Sequence, residues 1–372
     1  MKANVFRKVM TFLLVTAMAI ASFSGIKAEA EEIKLPVPKI SVKTVNDGTG
    51  VEVTINKTKD ADGFEVWVSG YADQYLGYKD ISDEYYNAVT LEQNGKKKRT
   101  VVLKTLSNGS YNIKVRSYNL KKYGTTRWSD YSKEQSVTIT AVEGGYKDKY
   151  DFSKAKKGDV IKFGAYEQNN DFTDGKEAIE WIVLKKTKKS IFAVSKYALD
   201  CLPYNLEYES ITWEQCTLRK WLNNEFYKPA FNKSEQGMIK TTKVKNFDNA
   251  VYNTPGGNST KDKVFLLSQL EMIESDYGFD ESYDTYDINR RCAPSEYAVA
   301  QGAYQSNYCT TADNKDACWW WLRSPGGFSS HAASVSTDGS VYYNGYQVSS
   351  YGGDVRSNHG AVRPALWINL KS

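Results

Sequence analysis

CWWWLRSPGG, at residues 318–327, is the stretch around which the second half of the chain is organised. Three adjacent tryptophans cannot all face the same side of a β-strand, because successive side chains point to opposite faces. A strand with this sequence buries aromatic surface on both faces, so we expect it in the middle of a sheet. GAVRPALWI, at residues 360–368, has a similar apolar character. We predict a closing strand over residues 362–369 that pairs near the tryptophans.

The segment between these two motifs has the opposite character. Residues 327–359 are mostly Ser, Gly, Tyr and Asn. In binding surfaces tyrosine supplies rigid, amphipathic contact area, while Ser, Gly and Asn supply adaptable hydrogen bonds. We therefore predict a ligand-binding surface here. Its candidate contact residues are Ser329, His331, Tyr342, Tyr343, Asn344, Tyr346, Ser349, Tyr351, Asp354, Arg356 and His359.

The N-terminus has the pattern of a secretory signal peptide. Basic residues precede an apolar run at residues 9–20, and Ala28-Glu29-Ala30 resembles a cleavage site. We predict a signal peptide over residues 1–30 and a protein that is secreted or held at the cell surface, with association to the cell wall left open. Removing the four basic residues and one acidic residue of this segment lowers the formal net charge from +5 to +2, which argues against a nucleic-acid partner. No later apolar run is long enough for an integral membrane segment.

Residues 31–142 read as a β-sandwich. Short alternating strands are predicted at residues 51–55, 64–68, 100–103, 111–118 and 137–139, with turns between them. LSNGSYNIKVR at residues 106–116, followed by WSDYS at 128–132, resembles the later strands of a fibronectin type III domain. This resemblance implies that Tyr111 is the tyrosine-corner residue, whose hydroxyl bonds back to the main chain.

A linker is predicted at residues 143–154, followed by a second domain at 155–372 that combines strands and helices. A strand at 159–166 and a hairpin at 179–184 and 191–194 come first. Capping-box patterns at Thr212 with Gln215 and at Ser268 with Glu271 predict two helices, and a third is expected to start at Ser295. Asp338-Gly339 predicts a hairpin turn. This order of elements indicates an α+β fold.

Several motifs in the second domain resemble a known family. They are IVL at 182–184, TWEQCTLRKWLN at 212–223, DKVFLLS at 262–268, WWLRSPG at 320–326 and VRPALWI at 362–368. Over residues 155–370 the chain resembles the bacterial family numbered 6273 among domains of unknown function. That family is similar to the C-type-lectin-like group, which includes formylglycine-generating enzymes and retroelement-diversified variable proteins. The resemblance implies that the tryptophan strand and the final Arg-Pro strand bracket the ligand face, which places residues 327–359 on it.

The residues that could support chemistry are sparse. The five cysteines lie in the second half, and Cys309 and Cys318, which flank a polar loop, are the preferred disulfide pair. There is no Cys-x-x-Cys motif and there are two histidines, so no metal site is predicted. The tripeptides of calcium-dependent lectins, Glu-Pro-Asn, Gln-Pro-Asp and Trp-Asn-Asp, are absent from the sequence. Arg323 and Arg363 are predicted to be buried structural residues. We predict no catalytic residues and no cofactor.

Together these features predict a fibronectin III-like sandwich followed by a C-type-lectin-like α+β domain. The function they favour is that of a secreted binding or adhesion protein whose partner is an extracellular protein or glycan. One alternative is an exported enzyme of formylglycine-generating or cell-wall-modifying type, with Cys309 and Cys318 or the two histidines in its site. The other is a structural component of the cell surface.

Overall fold

The computed structural model describes residues 34–69, 87–104, 106–349 and 360–370. This part of the chain is mostly β-sheet with a few short helices. Its buried apolar side chains form two clusters, one contributed mainly by residues 51–139 and the other by residues 155–368. The predicted signal peptide at residues 1–30 lies outside the described residues. None of the helices described is long and apolar enough to cross a membrane.

Two facing sheets enclose the first cluster. Their strands are β1 (Ile40–Val45), β2 (Gly50–Asn56), β3 (Gly63–Ser69), β4 (Asn87–Glu92), β5 (Lys98–Leu103), β6 (Gly109–Asn119), β7 (Arg127–Trp128) and β8 (Gln135–Ile139). One sheet has the order β1-β2-β5, and the other has the order β4-β3-β6-β7 with β8 also paired to β6. All five strands predicted from alternation are present. In β6 buried and partly exposed residues alternate over most of the strand, as a strand with one face on the core requires.

Tyr111 makes the predicted tyrosine-corner hydrogen bond. Its hydroxyl donates to the carbonyl of Ser107 at 2.9 Å. The side chain is buried in the first cluster. The bond ties the turn before β6 to the strand itself, so the turn and the core are held together by one side chain.

The second cluster lies between two larger sheets and several short helices. Its strands are β9 (Val160–Tyr166), β10 (Glu177–Lys186), β11 (Ser190–Ser195), β12 (Asp200–Leu202), β13 (Thr242–Val244), β14 (Thr260–Asp262), β15 (Val264–Phe265), β16 (Trp320–Pro325), β17 (His331–Val335), β18 (Val341–Gln347), β19 (Gly360–Val362) and β20 (Ala365–Asn369). One sheet has the order β15-β20-β11-β10-β9, the second has the order β12-β19-β16-β17-β18, and β13 pairs with β14.

The predicted closing strand is two strands that belong to different sheets. β19 pairs in parallel with the tryptophan strand β16, with Ala361 opposite Trp320. β20 pairs instead with β11 and β15. The break falls at Arg363 and Pro364, because proline has no N–H to donate to a ladder. Of the predicted strand only Val362 lies in β19, and the residues from Ala365 on pair in the other sheet, so the prediction of a single strand paired near the tryptophans is wrong.

The helices are short: α1 (Thr217–Trp221), a π-helical turn (Leu222–Phe226), α2 (Tyr227–Ala230), α3 (Lys233–Met238) and α4 (Glu296–Ala300), with 3₁₀ turns at Asn46–Gly48, Leu270–Ile273 and Ser275–Tyr277. The start predicted at Thr212 is wrong, since α1 is capped by Cys216. Trp213 explains the delay: its buried indole donates to Asp262 at 3.0 Å, and a turn places it there before the helix begins.

Both of the other predicted starts show the expected side-chain hydrogen bonds, but only the one at Ser295 begins an α-helix. Ser268 and Glu271 bond reciprocally, although they cap a 3₁₀ turn rather than a longer helix. Ser295 caps α4 by accepting from the N–H of Ala298. Local side-chain chemistry was thus sufficient to locate these two starts.

The segment predicted as a linker packs firmly against the second cluster. The fully buried carboxylate of Glu235 accepts hydrogen bonds from the N–H groups of Tyr146 at 3.0 Å and Gly164 at 3.2 Å, and from the hydroxyl of Tyr150. The ring of Tyr150 lies 5.0 Å from that of Phe163. The hydrogen bonds from Tyr146, Tyr150 and Gly164 to Glu235 therefore hold the start of the second half in place.

Candidate functional site

The tryptophan strand is the buried frame of the site. Trp320 and Trp321 have no exposed surface. The indole of Trp320 donates to the carbonyl of Arg290 at 3.2 Å, and that of Trp321 donates to the carbonyl of Leu202 at 2.9 Å. β16 pairs with β19 and β17 along its two edges, and all six of its residues are buried, so both of its faces are covered, as predicted. Trp319, just before the strand, is half-buried and stands edge-on to Trp321 at 4.9 Å.

A bulge in the neighbouring hairpin brings two tyrosines together. Tyr346 lies opposite Ala332 and Tyr342 lies opposite Ser334, so five residues of β18 face three residues of β17. Gly345 makes this possible with a φ of +73°, and a Cβ on it would lie 2.2 Å from the carbonyl oxygen of Ala332. Residues four apart on a regular strand are separated by about 13 Å. Here the rings of Tyr342 and Tyr346 are 5.0 Å apart.

These rings and Trp319 form what we call the aromatic face. The ring of Tyr346 lies 4.7 Å from that of Trp319 and therefore joins the exposed tyrosine to the buried frame. Tyr342 and Tyr346 are 37% and 36% exposed. Burial, followed by the neighbouring Tyr342, raises the pKa of Tyr346, so its hydroxyl stays protonated at neutral pH and can donate a hydrogen bond. The aromatic face consists of Trp319, Tyr342 and Tyr346.

Tyr343 belongs to a different group of rings. It lies 6.1 Å from Tyr252 and 6.0 Å from Tyr283. The hydroxyl of Tyr283 is buried without a hydrogen-bond partner among the described residues. Tyr343 is therefore not part of the aromatic face, because adjacent residues of a strand point to opposite faces of the sheet.

Other predicted contact residues lie in the loop before β17 and at its start. Ser329 is exposed, and its hydroxyl is 2.7 Å from that of Ser210. His331 is half-buried beside the ring of Phe328, and burial lowers its pKa, so it is neutral at pH 7. The loop is anchored at Gly327, whose N–H donates to the carbonyl of Asn344 at 2.7 Å.

The remaining predicted contact residues have different outcomes. The side chain of Asn344 donates to the hydroxyl of Tyr342 at 3.4 Å and is only half-buried, so it supports the aromatic face. Ser349 is fully buried, which contradicts its prediction as a ligand contact. Tyr351, Asp354, Arg356 and His359 lie outside the described residues.

Two exposed aromatic residues beside the site were missed from the sequence. Phe328 is 62% exposed and Tyr252 is 49% exposed. Trp319 was assigned to the core with its two neighbours, although it precedes β16 and reaches the surface. The composition of residues 327–359 pointed to Phe328, but no local signal connects Tyr252 with a hairpin almost a hundred residues later.

A recess lies beside the buried Arg323. It has a volume of about 310 Å³ and includes Phe247, Glu271, Arg323 and Trp367 in its lining. Arg323 is buried, and its guanidinium donates to the carbonyl of Leu266 at 2.7 Å and to the carboxylate of Glu271. Arg363 is buried as well and donates to the carbonyl of Ser195 at 2.9 Å. Both arginines therefore have the structural role predicted for them.

The residues considered for catalysis or metal binding are dispersed. Within the described ranges no group of three or more His, Cys, Asp or Glu side chains could hold a metal ion. The carbonyl of Cys309 accepts from the N–H of Ala317 at 2.8 Å, but the N–H of the next residue, Cys318, donates to Cys292 at 2.7 Å. The main chain of Cys318 is therefore paired with that of Cys292, and the structure does not favour the predicted disulfide between Cys318 and Cys309.

Comparisons with known proteins give a family for the second half of the chain. The model of the domain of unknown function DUF6273 matches residues 181–370. No curated protein matches the chain.

Among solved structures, the chain is similar to the FN1–FN3 domains of chicken CNTN1 at 17% identity, covering 28% of this chain and 31% of that one with a TM-score of 0.22. It is also similar to a family 76 glycoside hydrolase from a bovine Bacteroides thetaiotaomicron strain at 12% identity, covering 32% and 22% with a TM-score of 0.22. The chain spans less than a third of either structure, and similarities of this size carry no argument about activity.

Proposed function

We propose that this chain, which belongs to the DUF6273 family of domains of unknown function, is a secreted binding protein that recognises an extracellular protein or glycan. The observation that supports this function is the aromatic face of Trp319, Tyr342 and Tyr346. Its rings are partly exposed and packed together, and both tyrosines are carried by strand β18 rather than by a long loop.

The proposal includes a fold for each half. The first half is a fibronectin III-like sandwich, supported by its pair of facing sheets and by the hydrogen bond from Tyr111 to Ser107. The second half is a C-type-lectin-like domain, supported by the pairing of the tryptophan strand with the start of the C-terminal motif. In this arrangement the sandwich acts as a spacer or adhesion module and the second half holds the ligand.

Rigidity is the main physical argument for binding at the aromatic face. Association costs free energy for each flexible side chain that a ligand immobilises. Tyr342 and Tyr346 have already lost that freedom, because their rings rest on each other and on Trp319. Tyrosine and tryptophan are also enriched among the residues that dominate binding energy. A ligand that covers these rings gains apolar burial while the tyrosine hydroxyls remain available as donors.

The test is a glycan and protein array probed with the chain and with a double variant, Tyr342→Ser with Tyr346→Ser. We expect the variant to lose at least about tenfold in affinity for the ligands that the unaltered chain captures, since hot-spot side chains are worth about 2 kcal/mol or more. Tyr308→Ser is the matched control, because Tyr308 is 92% exposed and lies outside the aromatic face. It should bind within about twofold of the unaltered chain.

Circular dichroism and a urea unfolding curve establish that each variant is folded. Capture that survives the double substitution in a folded protein would contradict the assignment of the site. An array on which the unaltered chain captures neither proteins nor glycans would contradict the proposed function itself.

A further inference from the structure

Cys292 and Cys318 face each other across the interior of the second cluster. They are partners in an isolated antiparallel bridge, and the N–H of Cys318 donates to the carbonyl of Cys292 at 2.7 Å. Both side chains are completely buried. All five cysteines are thiols in the structure.

We propose that Cys292 and Cys318 are the chain's disulfide-forming pair, and that their bond fastens the segment before α4 to the tryptophan strand β16. Hydrogen-bonded positions paired across an antiparallel bridge have Cα atoms about 5.5 Å apart, which lies within the range that a disulfide spans. A pair of this kind within a core needs little movement of the main chain to close. The inference is independent of the proposed ligand site.

The oxidant is a small-molecule disulfide such as oxidised glutathione. The thiolate of Cys292 attacks one sulfur of that molecule, forms a mixed disulfide and displaces one small thiolate, which takes up a proton. The thiolate of Cys318 then attacks the sulfur of Cys292 and displaces the second small thiolate. One small-molecule S–S bond and two protein S–H bonds become one protein S–S bond and two small-molecule S–H bonds. Because both sulfurs are buried in the folded chain, the exchange takes place during folding.

In the folded chain the surroundings distinguish the two thiols. Burial raises the pKa of the Cys292 thiol, but a hydrogen bond from Cys318 and the positive charge of Arg363 outweigh that effect, and the pKa lies below its ordinary value. Burial raises the pKa of Cys318. Arg363 makes no ion pair with an acidic side chain of the described residues, and its guanidinium lies 4.9 Å from the ring of Trp320.

The remaining cysteines are less well placed to form a disulfide with Cys292 or Cys318. The sulfur of Cys216 caps α1 by accepting from the N–H of Arg219 at 3.4 Å. Cys309 is only partly buried, and its main chain lies opposite Ala317. Cys201 pairs through its main chain with Ala361 on β19 and is electrostatically coupled to Cys318, which makes it the main rival partner.

The test is a peptide map of the full chain. The chain is folded in a glutathione redox buffer, quenched, alkylated in denaturant without reductant, and digested with trypsin and a glutamate-specific protease. Cleavage after Arg291, Glu296, Lys315 and Arg323 places Cys292, Cys309 and Cys318 in three separate peptides, residues 292–296, 297–315 and 316–323. We expect peptide 292–296 joined to peptide 316–323, and three alkylated cysteines.

Two variants sharpen the result. Cys309→Ser should leave the linked peptide unchanged, whereas Cys292→Ser should abolish it without a new link to Cys318. A link from Cys318 to Cys309 or Cys201, or five alkylated cysteines in the folded chain, would overturn the proposal. If Cys292→Ser does not fold, the map of the unaltered chain decides the question by itself.

Discussion

Replacing Glu225 with glutamine should flatten the dependence of this protein's stability on pH. Glu225 lies in the π-helical turn between α1 and α2 and is buried. Neither carboxylate oxygen has a hydrogen-bond partner in the part of the chain that the structure describes. Burial raises the pKa of this carboxyl group from 4.5 to about 8. The folded protein therefore holds a proton on Glu225 at pH 7 that the unfolded chain has released.

The sign of the effect follows from that proton. Below pH 4.5 Glu225 is protonated in both the folded and the unfolded chain, so its ionisation does not change the free energy of unfolding. Between pH 4.5 and 8 the unfolded chain loses its proton while the folded chain keeps it, so the free energy of unfolding falls as the pH rises. At about 1.4 kcal/mol per pH unit the full shift corresponds to about 5 kcal/mol. Solvent screening and local relaxation of the turn reduce this figure, and we expect a loss of about 2 kcal/mol.

Urea unfolding at pH 5, 7 and 9, followed by tryptophan fluorescence, measures the effect. Between pH 5 and pH 9 the free energy of unfolding should fall by about 2 kcal/mol more for the unaltered chain than for Glu225→Gln, because glutamine has a similar shape and no charge to bury. Glu207→Gln is the matched control, since Glu207 is exposed. Parallel pH profiles for the unaltered chain and Glu225→Gln would refute the reasoning, and would mean that the carboxylate finds water or a cation when it ionises.

Two further predictions concern a side chain that stabilises each half of the chain, Tyr111 in the first half and Glu235 in the second. Tyr111→Phe removes the hydrogen bond to Ser107 and should lower the free energy of unfolding by about 1 kcal/mol, measured by urea unfolding with the exposed Tyr308→Phe as control. An equal effect of both substitutions would contradict the role of the tyrosine corner. Glu235→Ala leaves the buried donors of Tyr146, Tyr150 and Gly164 without their acceptor and should cost about 3 kcal/mol or more, with earlier proteolysis of residues 143–154. Unchanged proteolysis there would show that the segment is held by other contacts.

Local patterns in the sequence were enough to predict much of the architecture. Alternation located the strands of the sandwich, and the run of tryptophans identified β16 as a strand covered on both faces. Arg323 and Arg363 were recognised as structural, and Tyr111 as the source of a specific hydrogen bond. These features depend on residues close together in the chain, whose side chains alternate with a fixed period.

The candidate binding site was only partly predictable for the same reason. A period of two gives the face on which a residue lies, but it does not reveal a bulge, and the bulge at Gly345 is what brings Tyr342 close to Tyr346. The burial of Ser349 likewise depends on how the hairpin packs.

The sequence by itself determined that a tryptophan-rich frame precedes a tyrosine-rich surface, because both are matters of composition and spacing. Only the tertiary structure decided which side chains meet across that frame. Trp319 joins the tyrosines at the surface, and Cys318 meets Cys292 rather than Cys309. Contacts of this kind depend on the register and stacking of strands that are distant in the chain, and no local pattern encodes them.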